Sequence, residues 1–327
     1  MAAKKAMKRR KAKKMPMKLQ NAVFTELNAI PGFTGAGTNS YYINAAHLMS
    51  MMNRKAFHQV DSRGHVKNYG LQIQVFNMKN ATSFIHTASQ GYPMENAVKA
   101  WSDARKERYA DAGFKLSDLG YGARLRFGLD KTMVDLNQST STSMIRPSHL
   151  SATVADKGEW DFSDVIITPP ARDGGWTVEA DDLFDTFVLH LTGDHTGTAE
   201  ETQKYSHVGM IQSWTENTRG WATPDATETI QAENPLAFAR ASSLSTGALT
   251  AEVVDEQKQS PPYSNVDANA ESVFAELVLQ GQIESAFPNP TTNDDIVVAP
   301  GGVAKLTITN NEAEAAYPLV SIRIFEL

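Results

Sequence analysis

Apolar residues in this chain recur at every second position over short runs, and Gly, Pro and Asn separate one run from the next. In "NYGLQIQVF" Leu71, Ile73 and Val75 alternate with Gln72 and Gln74. "ARLRFGL" (123–129) alternates in the same way, and "DVIIT" (164–168) is β-branched and stops at Pro169-Pro170. In "DTFVLHLTGD" the alternation sends Phe187, Leu189 and Leu191 inward and Val188 and His190 outward. "DDIVVAPGGVAKLTITNN" reads as two strands around the turn Ala299-Pro300-Gly301-Gly302, and "PLVSIRIFEL" alternates through Val320, Ile322 and Ile324. A period of two is that of a strand with one buried face. A parallel α/β sheet needs a helix after most of its strands, and the pattern for those helices is missing. The expectation is therefore an all-β chain, an antiparallel sandwich or jelly roll with one or two helices in its connections. One helix is legible, "PMENAVKAWSDARKERYADAGF", where Val98, Trp101, Arg105 and Tyr109 fall at helical spacing and Gly113 sits just past the C-terminus. Residues 28–46 read as turn-rich, and their glycines at 32, 35 and 37 lack the spacing of a dinucleotide loop.

Charge divides the chain in two. Of 31 Lys and Arg residues, nine stand in the first 18 positions: Lys4, Lys5, Lys8, Arg9, Arg10, Lys11, Lys13, Lys14 and Lys18. The first carboxylate is Glu26, so the arm carries +9, and the other 22 cations face 37 acids, leaving the body at −15. Like charges at i,i+4, such as Lys4/Lys8 and Arg9/Lys13, oppose a helix, and no apolar stripe exists to dock one. Such a run is expected to be disordered alone and to order on a polyanion. It lacks the apolar stretch of a secretory signal and the Ser-rich amphipathic pattern of a mitochondrial presequence. The reading left is a nucleic-acid-binding arm, residues 1–18, that doubles as a nuclear import signal, against the alternative of a solubilising tail. With no aromatic residue and no Asn or Gln before position 20, the arm is expected to grip phosphate backbone without sequence preference.

The chain has no Cys, so disulfides, thiolate nucleophiles and Cys-ligated zinc are excluded. No apolar stretch approaches the roughly 20 residues of a membrane-spanning helix, and no membrane partner is expected. No nucleophile elbow, zinc-protease or P-loop pattern occurs. Two histidine groups remain to be weighed. His190, Asp194, His195 and His207 lie close in sequence, but the outward alternation of His190 argues against ligands converging inside a barrel. His58, Asp61 and His65 flank a Ser-Arg-Gly turn. Asp181, Asp182 and Asp185 could hold a hard cation between subunits, or form a solvated loop. The expectation is a protein that is not an enzyme and has no catalytic residue, cofactor or resident metal.

Trp160, Trp176, Trp214 and Trp221 all lie in turn-rich stretches. They either plug the ends of the sandwich or, with Tyr263, anchor a protein–protein interface, where Trp and Tyr are enriched.

The middle of the chain carries a succession of short motifs: Trp160-Asp161, then Leu191-Thr192-Gly193-Asp194, Val208-Gly209-Met210-Ile211 with Arg219, Asn234-Pro235, and Pro261-Pro262-Tyr263. Over roughly residues 155–265 this succession resembles the capsid proteins of small circular single-stranded DNA viruses, especially bacilladnavirus-like and related environmental viruses. The resemblance implies a single jelly-roll shell domain (19–327), an icosahedral shell of many identical subunits, and a basic arm facing a packaged single-stranded DNA genome. It places the protein in the virion and, during assembly, in the host nucleus. The rival is a nuclear β-sandwich module that binds carbohydrate or peptide and uses its arm only for import.

Overall fold

The alternating stretches become two antiparallel sheets packed face to face. The computed structural model describes residues 18–26, 33–115, 120, 122–138, 143–147, 155–167, 185–193, 206–219, 277–286, 291–292 and 296–327. The first sheet runs in the order β1 (Lys18–Glu26), β12 (Leu319–Glu326), β3 (Asn68–Phe76) and β10 (Val297–Pro300), with the two-residue β9 (Thr291–Thr292) also on β3. The second runs β2 (Gly37–Asn44), β11 (Val303–Asn310), β4 (Asn80–Ala88) and β8 (Leu277–Ala286). Register is set by the apolar face: Ile322 stands opposite Ile73, and Leu306 stands opposite Tyr41 and Ile85. Shifting any strand by one residue would turn these side chains to water.

One core fills the space between the sheets. Leu71, Ile73 and Val75 from β3 and Val320, Ile322 and Ile324 from β12 meet Tyr41, Ile43, Leu306, Ile308 and Ile85 from the opposite sheet. Each such side chain, fully buried, contributes about 1.5–3 kcal/mol relative to exposure. Asn44 ends β2 and caps α1 (Ala45–Asn53) by accepting from the His47 amide at 3.1 Å, and α1 closes one end of this core with Ala46, Leu48 and Met49. The Ala299–Gly302 turn carries the chain from one sheet to the other. Gly302 N–H donates to Ala299 at 3.0 Å, Pro300 takes the second position, and Gly301 takes the third at φ +63°, the type II pattern. A Cβ on Gly302 would lie 2.9 Å from both Ala45 Cβ and the Tyr69 ring, so glycine is needed there for space as well as for its φ of +72°.

Residues 89–276 leave the sandwich between β4 and β8, and their described part has its own core. It contains α2 (Tyr92–Asp111), α3 (Lys131–Gln138), α4 (Met210–Arg219) and a small sheet of β5 (Asp164–Ile167), β6 (Asp185–His190) and β7 (Ser206–Gly209). Val98, Phe127, Leu129, Met133, Leu189 and Met210 pack together and rest on Tyr42, Ala88 and Val303, at the end of the second sheet. Asp130 ties the two parts. One carboxylate oxygen accepts from the Met133 amide at 2.8 Å, capping α3, and the other accepts from the Tyr42 hydroxyl of β2 at 2.8 Å. Burial raises the Asp130 pKa, and burial followed by Asp130 itself raises that of Tyr42.

The helix at 92–111 ends as its glycine predicts. Gly113 adopts φ +78°, its N–H donates to Ala110 and that of Phe114 donates to Tyr109, which completes a Schellman motif. Three expectations change. Four helices are present among the described residues, instead of one or two, and β7 lies parallel to β6. Residues 123–129 are not a strand. They are wedged between the two cores and buried from Leu125 to Leu129, and Phe127 pairs its N–H and C=O with the Gln59 side chain at 2.8 and 2.9 Å. His190 points inward. β6 is the middle strand of its sheet, with residues 125–134 packed on it, so both of its faces are covered and alternation carries no information on direction.

Candidate functional site

The basic run meets the body at a sheet edge. Lys18 is already the first residue of β1, in register with Glu326 of β12, so the body begins one residue earlier than the charge pattern predicts. The other eight cations of the run, Lys4 through Lys14, lie outside the described residues. β1 is an edge strand of the first sheet, and its partner β12 is the last strand of the chain. Glu326 lies opposite Tyr69 of β3 and accepts from Lys67 Nζ at 2.7 Å, so the root of the arm is built into three strands.

The candidate aromatic anchors separate. Trp160 is 1% exposed and belongs to the sandwich core, so it is not an interface anchor. It stacks on His47, with ring centroids 4.9 Å apart and planes at 15°, and the Arg126 guanidinium sits 4.5 Å from its centroid. Trp214 on α4 is half-buried and meets the exposed Tyr92 edge to face at 6.2 Å. Trp176, Trp221 and Tyr263 lie outside the described residues, as do Asp181 and Asp182, while Asp185 opens β6.

The histidine groups are structural in character. Asp61 holds the 58–65 turn by accepting from the amides of Arg63 and His65 at 2.8 and 2.9 Å. His190 donates from Nδ1 to the Thr192 carbonyl at 2.8 Å, and its ring centroid lies 6.0 Å from that of His207. His207 bonds Asp135 at 3.0 Å, and burial holds its pKa below the usual histidine value. Asp194 and His195 lie outside the described residues. Among the described residues no three His, Asp or Glu side chains converge on a point that could hold a metal ion, and no helix is long and apolar enough to cross a membrane.

Two histidines, His47 and His58, have strongly perturbed environments. His47 Nε2 donates to the Lys157 carbonyl at 3.0 Å, and burial, assisted by Arg146 and Arg126, lowers the His47 pKa to about 4. Burial and the neighbouring cations Arg124, Arg126 and Lys67 lower His58 to about 4 as well. Both imidazoles are therefore neutral at pH 7, and His47 serves as a packing partner of Trp160.

Sequence reasoning did not single out the aromatics that α2 and its C-terminal cap leave at the surface. Tyr92 is 72% exposed and Phe114 59%. The stripe Trp101, Arg105 and Tyr109 is a signal in the sequence; the second core buries Met94, Ala97 and Val98 of that helix and packs against a partly buried Trp101. Comparison of the chain with protein-family models, with curated proteins and with solved structures found no match.

Proposed function

We propose that this chain is a viral coat protein: a jelly-roll shell subunit whose basic N-terminal arm packages a single-stranded DNA genome. The observation that carries the reading is the strand order. Leaving aside the two-residue β9 and counting the eight other sandwich strands along the chain, one sheet holds the first, eighth, third and sixth, and the other the second, seventh, fourth and fifth. Neighbours pair first with eighth, second with seventh, third with sixth and fourth with fifth. That is the order produced by rolling up one long antiparallel hairpin, the double Greek key of jelly rolls, an architecture that shells and lectins share.

Charge segregation favours the shell over the lectin-like alternative. An acidic body repels nucleic acid, while a +9 run attached to the first strand attracts it, and many such arms on one inner surface would act together. Seventeen residues reach at most about 60 Å from the sheet edge, enough to enter a packaged genome. Each neutralised phosphate on a single strand contributes about −0.7 to the log–log salt slope, so the full run gives roughly −6. The motif resemblance names the cargo as single-stranded DNA and the site of assembly as the host nucleus. The test is deletion of residues 2–17, which leaves β1 intact. The truncated protein is expected to fold and to assemble empty; recovery of DNA at the full-length yield would refute the role of the arm.

A further inference from the structure

We propose that the groove between α2, α4 and the β5–β6 pair binds an amphipathic organic anion, an apolar tail bearing one carboxylate. This site is separate from the arm and does not rest on the shell reading. Its cavity of about 610 Å³ falls in the usual range for small-molecule sites. Leu125, Val165 and Leu189 line one part of it, and Trp101, Tyr109 and Trp214 bring aromatic surface to the same space. The Trp101 indole N–H is already used, donating to Ser213 Oγ at 3.1 Å, while Ser213 donates to the Met210 carbonyl at 3.1 Å. The hydrogen bonds of this wall are thus closed among themselves, and what it offers a ligand is apolar.

The cation that selects an anion is Arg105. Its Nη2 donates to the Gly122 carbonyl at 2.8 Å and its guanidinium lies 5.3 Å from the Tyr109 ring, so its position is set before any ligand arrives. Arg105 lines the groove, so its charge stands beside any ligand held there. Arg108, one turn further along α2, lines the same groove. One acid, Asp164, stands in the lining against the two guanidinium groups, so the balance of charge there is positive. Two guanidinium groups within a mainly apolar cavity fit a single charged head with an apolar tail. A nucleic-acid strand would need a longer track of cations than this.

The test is calorimetric titration of the full-length protein with decanoate, with 1-decanol as the uncharged control. Saturable binding at one decanoate per chain is expected. Arg105→Gln should weaken decanoate about tenfold, the loss of one charge-assisted bond, and leave decanol and the unfolding temperature unchanged. Ala104→Phe, which fills the groove, should abolish both ligands and serves as the second variant if Arg105→Gln does not fold. Absence of saturable binding, equal affinity for decanol and decanoate, or unchanged decanoate affinity in Arg105→Gln would each overturn the assignment. Decanoate binding that weakens as protein concentration rises, with oligomers dissociating in sedimentation, would overturn it in favour of a second copy as the occupant.

Discussion

Acid should loosen the sandwich through one buried histidine. The His47 pKa falls from 6.5 to about 4 on folding, chiefly because the ring is desolvated, with the nearby Arg146 and Arg126 charges adding to the effect. The unfolded chain therefore takes up the proton first. The stability that comes from the neutral folded imidazole is complete above pH 6.5 and is lost as pH falls from there towards 4. At about 1.36 kcal/mol per unit, this residue alone removes about 2 kcal/mol between pH 7 and pH 5, and about 3 kcal/mol by pH 4. His58, His86 and His207 are lowered with burial as the first cause and bend the curve the same way, so the informative quantity is a difference between proteins. The assay is urea unfolding followed by far-UV circular dichroism at pH 7 and pH 5, for wild type and His47→Gln. Gln can still donate to the Lys157 carbonyl but does not titrate. The loss on acidification should be about 2 kcal/mol smaller in the variant. Equal losses in the two proteins would refute the claim that the buried neutral ring carries this pH dependence.

Three further substitutions test how the cores are joined and how the backbone turns. Gln59→Leu strips the amide that serves Phe127 N–H, Phe127 C=O and Gly301 C=O, leaving buried backbone groups unpaired. The expected cost is at least about 3 kcal/mol in urea unfolding. Gly302→Ala combines φ +72° with contacts at 2.9 Å and should cost more than about 2 kcal/mol. Gly113→Ala, at φ +78° with nothing within 4 Å of the new Cβ, should cost only the backbone strain, about 1 kcal/mol. Thermal unfolding of the two alanine variants side by side reads the difference as steric crowding.

The parts of the fold that sequence reveals are those where one face alone is buried. In β3 and β12 the residues at every second position, Leu71, Ile73, Val75 and Val320, Ile322, Ile324, line the core, and Pro300-Gly301-Gly302 announces its own turn. Alternation fails where both sides are covered. His190 and the 123–129 segment lie between packed layers, so residues of either parity are buried. β2 hides in the stretch 28–46 that reads as turns, and α1 begins at the end of it, where Asn44, a residue type that favours helix N-caps, accepts from the His47 amide. β8 is an edge strand that leaves Val278 and Leu279 at the surface, which erases its pattern. The order of the strands in the two sheets depends on pairings across the whole chain, and no local period reports it. Of the proposed function, the arm is legible because charge needs no fold to be read. The groove beside α2 is not, because its walls come from helices and strands far apart in sequence.

The most direct test of the central claim is velocity sedimentation of the purified full-length protein, with absorbance recorded at 260 and 280 nm across the boundary. A fast, homogeneous species with a nucleic-acid spectrum that survives nuclease is the predicted result, a filled shell. A slow species free of nucleic acid, even at low salt, would contradict it.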